Sequence, residues 1–288
     1  MDGPGEQLAA RSLLQFVAFT GLLFFVLPSL VFTVTGEGWA PLLDRPRWQL
    51  VLIGLVLAPV GAMAVQAVRA FASHGGTPMP LDPPTALVTS GPLAYVANPM
   101  QLVGTILLAA WGVVLASPAL VAAAAMGAAF SAGLAAWDED RELSRRFGGD
   151  WATYRRQVPR WRPRWRPASA PAVVYVAAGC DPCCEVGRFL AARLPGGLEL
   201  RPAERCPFPL DRITYQRGGE RESGLAAIGR SLEHVNLGWA AVSWVGRLPV
   251  LQQVLQLIAD ALGFGPRPVV RAAVEPGPET GAAPWLGS

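Results

Sequence analysis

Lysine is missing from all 288 residues, so every basic side chain among the 24 is an arginine. Its absence excludes Schiff-base and lysine-base chemistry and leaves charge pairing to planar guanidinium groups. Histidine occurs twice and cysteine four times, with all four cysteines in the second half of the chain. Charged residues are 16% of the total and the formal net charge is only +3. That balance, with no basic run interleaved with stacking aromatics, excludes a groove-binding nucleic-acid protein. A basic n-region is also lacking at the start: MDGPGEQLAARS carries Asp2 and Glu6. The expectation is that no signal peptide is removed and that the first apolar segment stays in the protein.

What is abundant is apolar. Hydrophobic residues reach 52%, above the usual soluble composition. The excess lies in the first half, in runs over Leu13–Thr35, Gln49–Phe71, Pro99–Ala116 and Pro118–Trp137. Each is about long enough to cross hydrocarbon, so about four transmembrane helices are expected. Ser117-Pro118 reads as a tight hairpin between the last two, and the small residues of the last run favour close approach to its neighbours. Arg141, Arg145, Arg146, Arg155, Arg156, Arg160, Arg162, Arg164 and Arg166 crowd just after the fourth run. By the positive-inside rule that end is cytoplasmic, which puts both termini on the cytoplasmic side. From Asp138 to Tyr154, apolar residues at spacings of three and four among arginines read as an amphipathic juxtamembrane helix.

Between the second and third runs lies a Pro/Gly-rich connection, His74 to Met100. It contains Gly75-Gly76-Thr77-Pro78, Asp82-Pro83-Pro84, Leu87-Val88, Gly91-Pro92, Tyr95-Val96 and Asn98-Pro99-Met100. A second block follows the fourth run: Glu139-Asp140, Leu143, Phe147-Gly148, Trp151, Tyr154 and Val158-Pro159-Arg160-Trp161, closed by Pro163. In this order the two blocks resemble the isoprenylcysteine carboxyl methyltransferase and phospholipid methyltransferase group, over roughly the first 165 residues. The resemblance implies an all-α multi-pass membrane domain that uses S-adenosylmethionine to methylate a lipidic acceptor resident in the bilayer. It also implies that Tyr95, Asn98, Pro99 and Met100, with Glu139, line the cofactor pocket. Read from the residues alone, Asn98 equally suits a helix cap with Pro99 at the first helical position. The family commonly has arginine where Ala97 stands, and other residues where Leu93-Ala94 and Gln101 stand; Arg160 is the candidate to supply the missing guanidinium. His74 reads as an interfacial loop residue and Asp82 as a turn former.

Arg162 to Pro171 is a Pro/Arg-rich linker, assigned at its core to residues 166–171, after which the character changes. Val173–Ala177 reads as a buried strand, Cys180-Asp181-Pro182-Cys183 follows, and Val186, Phe189, Leu190 and Leu194 continue at helical spacing. Leu198–Leu200 and Ile213–Tyr215 are further strands; Gly224–Leu232 and Val250–Leu262 are helices. Strand, Cys-x-x-Cys, helix is the order of a thioredoxin-like redox fold, so a small α/β domain is expected over 172–270 and a disordered tail over 271–288. Val174-Tyr175, Gly224, Ala227, Leu248-Pro249 and Asp260 resemble the DCC-type thiol-disulfide oxidoreductases, although Val176 and Ala177 stand where that family has an acidic-glycine pair.

A thiol at a helix start has a lowered pKa, which favours exchange by Cys180 and Cys183 with a cytosolic thiol redox partner. The alternative for these residues is a zinc site from Cys180, Cys183, Cys206 and His234; Cys184 reads as a buried helix residue. Three readings follow: a membrane methyltransferase, a silent membrane anchor carrying a dithiol oxidoreductase, or a scaffold with neither activity.

Overall fold

The computed structural model describes residues 4–77 and 84–269. Pro78, Asp82 and Pro83 of the first motif block, and the tail from 271, lie outside the described residues. The chain divides into two compact units, Met1–Pro163 and Arg164–Ser288.

The first unit is helical. Helix α1 (Pro4–Gly21) runs through a π-helical turn, Leu22–Val26, into α2 (Leu27–Thr35). Gly36 ends α2 in the left-handed conformation at φ 74°, its N–H donating to Phe32 O at 3.0 Å. A short α3 (Ala40–Asp44) leads into α4 (Arg47–Ser73), which carries Pro59 within it. After the motif connection come α5 (Pro99–Val114) and α6 (Pro118–Phe130). A second π-helical turn, Ser131–Ala135, joins α6 without a break to α7 (Ala136–Gln157). Three of these helical stretches, Leu14–Thr35, Arg47–Ser73 and Pro118–Gln157, are long and apolar enough to cross a membrane. At most 33% of the apolar stretch in each is buried. Side chains such as Phe25, Leu30, Val34, Leu55, Val56 and Leu134 therefore stand open, as a bilayer requires and water disfavours. With 16 residues, α5 is apolar but shorter than the roughly 20 that span hydrocarbon.

The amphipathic stretch from Asp138 is helical and continues the last apolar helix without a break, bent where Gly148 takes φ 49°. Helix α6 does approach α5 closely, with Leu120 and Ala124 buried, but its glycines are not what brings the two together. Nothing lies within 4 Å of where a Cβ on Gly127 or Gly133 would stand. The close approach is made from α5, where a Cβ on Gly112 would sit 2.9 Å from Val121 N and 3.1 Å from Leu120 Cβ. The hairpin is pinned locally: Ser117 Oγ accepts from Leu120 N at 3.1 Å and bonds the Glu37 carboxylate, while Arg45 donates to Val113 O and Val114 O at the end of α5. Gly112→Val should therefore push the helices apart and destabilise the first unit by about 1–3 kcal/mol. Unfolding of the detergent-solubilised protein by SDS would check it, and an unchanged midpoint would mean the hairpin relaxes freely.

The second unit holds a four-stranded sheet in the order β2-β1-β3-β4, built from β1 (Ala172–Val176), β2 (Leu198–Pro202), β3 (Thr214–Arg217) and β4 (Glu220–Ser223). β1 and β2 pair in parallel, Val174 opposite Leu200; the other pairings are antiparallel. The parallel pair is bridged by α8 (Asp181–Ala191), the crossover such a pair needs. Alternation along β1 sends Ala172, Val174 and Val176 into a core with Leu190, Ile213 and Ala227, and Tyr175 to the other face with Cys206 and Leu210.

Helices α9 (Leu225–Leu232), α10 (Leu237–Gly246) and α11 (Pro249–Ala259) complete the unit. Pro249 separates α10 from α11, so the apolar stretch from Trp239 to Leu262 is two short helices. Gly229 of α9 lets Arg247 lie against it; a Cβ there would be 3.0 Å from Arg247 Cγ. The linker is held at Trp165, whose carbonyl accepts from Leu237 N at 2.8 Å. Along α11 and just beyond, Val250, Val254, Leu257, Ile258 and Leu262 are exposed.

Candidate functional site

Residues from Ser90 to Pro99 are buried although none belongs to an α-helix or strand before Pro99. Buried irregular backbone must find partners, and here the second motif block supplies them. Ala97 N donates to Pro159 O at 2.9 Å and Asn98 N to Arg160 O at 3.3 Å. The Tyr154 hydroxyl donates to Leu93 O at 2.8 Å. Pieces of chain some sixty residues apart are thus laced into one junction between the head of α5 and the chain at the end of α7.

Side chains extend the junction. Asn98 precedes Pro99, the first residue of α5, but makes no capping bond. Its Nδ2 donates instead to Gln101 Oε1 at 2.9 Å and to Glu139 Oε2 at 3.2 Å, which answers the capping alternative. Arg160 pairs with Asp140, lies 3.9 Å from Glu139 and donates to Ala136 O at 3.1 Å. The expected residues Asn98, Pro99, Glu139 and Arg160 therefore meet. Tyr95 is fully buried in the loop before α5, and Met100 is half-buried on the first turn of α5. Three buried polar atoms in this junction have no hydrogen-bond partner in the protein: Asn98 Oδ1, Asp140 Oδ1 and Trp161 Nε1. Native interiors rarely leave such atoms bare, so each marks a place for an outside donor or acceptor. His74 is occupied elsewhere, its Nδ1 2.9 Å from Ala70 O at the end of α4.

The second unit contains a cavity of about 370 Å³. Cys180 and Cys183 line it, with Glu204, Arg212, Gln256 and Arg267. Cys180 precedes the first residue of α8 in extended conformation, and Cys183 lies within the first turn. Burial, and after it the neighbouring Cys180 thiol, pushes the Cys183 thiol up to about 12. The expectation that the helix start lowers this thiol's pKa is thereby corrected. Desolvation of the thiolate outweighs the dipole, whose end is also shared with the Asp181 carboxylate in the first turn.

Only the thiolate is alkylated, so iodoacetamide should modify Cys183 much more slowly in the folded chain than in urea between roughly pH 7 and 9, with the gap closing as pH climbs towards 12. Peptide mass spectrometry reads it out, and equal folded and unfolded rates would refute it.

The zinc alternative loses its members to other partners. His234 bonds Tyr215 through Nε2 at 2.9 Å and Gly196 O through Nδ1 at 2.9 Å. Cys206 is buried on the far face of the sheet with Tyr175. Among the described residues no group of three or more His, Cys, Asp or Glu is placed to hold a metal ion. Cys184 is half-buried and directs its sulfur at Ala178 O, 3.2 Å away.

Sequence reasoning missed Gln101, Asp140, Glu204 and Arg267 as site residues. Gln101 could have been found, since i+3 on a helix faces i. Glu204 and Arg267 reach the cysteines only through tertiary folding. Set against models of known families, curated proteins and solved structures, the chain matches none.

Proposed function

We propose that the first unit is a membrane methyltransferase that takes its methyl group from S-adenosylmethionine and gives it to an acceptor dissolved in the bilayer. The observation that carries this reading is the junction itself: Asn98, Glu139, Asp140 and Arg160 gathered by hydrogen bonds and ion pairing, with buried polar atoms of Asn98, Asp140 and the adjacent Trp161 left open. The donor set fits the cofactor. Carboxylate and amide oxygens suit an ammonium group or ribose hydroxyls, and an indole N–H and a guanidinium suit a carboxylate. When bound, the cofactor supplies an electrophilic methyl on a sulfonium. The work left to the chain is positional: Asn98 and Glu139 fix the cofactor's polar end, Arg160 holds the Glu139 and Asp140 carboxylates in place, and the packed loop around Tyr95 excludes water. In this reading α5 is a fourth membrane segment, and the arginine-rich end of α7 lies on the cytoplasmic side, where a water-soluble cofactor enters. Titration of the purified protein with S-adenosylmethionine tests it. Saturable binding is expected, weakened at least about tenfold in Asn98→Ala and Glu139→Ala; binding by neither wild type nor variants would end the proposal.

A second reading concerns the second unit and rests on a different observation, Cys180 and Cys183 opening together onto one cavity. It treats the unit as thioredoxin-like and as a dithiol-disulfide exchanger, with Cys180 attacking and Cys183, kept protonated by burial, resolving the mixed disulfide. Both activities are compatible with one chain.

A further inference from the structure

Two charged groups beside the cysteines are held in place by the fold yet not neutralised by it. Glu204 Oε1 accepts from Ala178 N at 2.7 Å and Gly179 N at 3.4 Å, the amides just before Cys180. Its other oxygen, Oε2, is buried and has no hydrogen-bond partner. Arg212, in contrast, is neutralised by Asp260 through a two-pronged pair at 2.5 and 2.8 Å. Arg267 is fixed by its backbone, whose N–H donates to Asp211 O at 2.8 Å, and forms no ion pair among the described residues. Both Glu204 and Arg267 line the hollow that the two cysteines line.

A site with a thiol pair, one open carboxylate oxygen and one open guanidinium is complementary to a molecule carrying sulfur, an ammonium and a carboxylate together. The volume, about 370 Å³, is at the small end of ligand pockets, so the sulfur compound is small.

We propose that this cavity binds a zwitterionic amino-acid disulfide of the cystine type, with Glu204 receiving its ammonium and Arg267 its carboxylate, and reduces it with Cys180 and Cys183. The proposal rests on the dithiol-exchange reading above. In the first step the Cys180 thiolate attacks one substrate sulfur; a Cys180–substrate disulfide forms, the substrate S–S bond breaks and the departing thiolate takes up a proton from solvent. In the second, Cys183 gives up its proton and attacks the Cys180 sulfur, closing the Cys180–Cys183 disulfide and releasing the second amino-acid thiol. Two electrons pass from the protein dithiol to the substrate disulfide, and two thiols leave.

The test uses the full chain in lipid nanodiscs, reduced, desalted and mixed anaerobically with cystine or with bis(2-hydroxyethyl) disulfide, which has no charge. Oxidation of the Cys180/Cys183 peptide is followed by differential alkylation and mass spectrometry, each rate being divided by that of a free dithiol with the same disulfide. Cystine should be favoured about tenfold or more over the uncharged disulfide. Glu204→Gln keeps the Oε1 acceptor for Ala178 and Gly179 but removes the charge; it should abolish most of that preference, read as the ratio of the two disulfides' rates in the same variant. Arg267→Ala should do the same. Oxidation by both disulfides with no preference, or a preference untouched by either variant, overturns the cystine proposal and leaves dithiol exchange standing. Oxidation by neither overturns both.

Discussion

Arg247→Ala should cost the second unit on the order of 3–5 kcal/mol, the usual loss when one member of a buried ion network is deleted. The guanidinium is 3% exposed. It donates to Glu233 Oε1 at 2.7 Å and to both oxygens of Glu222 at 3.1 and 3.0 Å. Arg230 braces the same carboxylates from the other side, at 2.8 Å to Glu222 and 3.4 Å to Glu233. Truncation leaves two carboxylates sharing one cation, and Glu233 has little access to water to make up the difference. Since domains are stable by about 5–15 kcal/mol in total, the loss is a large fraction. Arg247→Lys should fare little better, because a compact ammonium cannot fork across two carboxylates. The control is Arg201→Ala: its pair with Glu199 has side chains 50% and 57% exposed, and such pairs contribute about 0–1 kcal/mol. Urea unfolding followed by tryptophan fluorescence compares the two, and equal midpoints would show that the buried network contributes nothing beyond a surface pair.

The second large effect is expected at Arg160. Its side chain, 17% exposed, lies within ion-pair distance of both Asp140 and Glu139, and its own backbone carbonyl receives Asn98 N. Arg160→Ala removes the hydrogen bond to Ala136 O as well as the charge. Charged hydrogen bonds contribute about 1.5–3 kcal/mol each, so if the first unit is the methyltransferase proposed above, affinity for S-adenosylmethionine should fall by roughly ten- to a hundredfold. Part of the pairing is solvent-screened, which sets the lower end. Calorimetric titration gives the affinity; the thermal midpoint of the same sample shows whether the fold is kept. Unaltered affinity in a folded variant would remove Arg160 from the site.

Some of this was legible in the sequence and some was not, for reasons that differ by residue. The apolar helices are visible because burial or lipid demands long runs without charge, and β1 because Ala172–Val176 has few polar atoms to hide. β4 was invisible: Glu220–Ser223 is polar throughout and lies at the sheet edge, so neither alternation nor β-branching marks it. The π-helical turns at Leu22–Val26 and Ser131–Ala135 are also hidden, because one inserted residue shifts the helical phase without altering composition. Asn98 and Glu139 were singled out as a pair through a resemblance of motif blocks, and they do touch. The Glu222–Arg230–Glu233–Arg247 network had no signature, since scattered charges read as solvated until the fold brings them inside.

The row of open aliphatic side chains on α11 has a practical consequence. Val250, Leu257 and Leu262 are each at least 70% exposed, and the helix that carries most of the row has no charged residue between Pro249 and Ala259. A fragment beginning at Arg164, freed of every long apolar helix, would still be sticky. It should elute as mixed oligomers in plain buffer and sharpen to one species when a mild surfactant is added, so the preparation of the second unit must be handled as though it, too, came from a membrane.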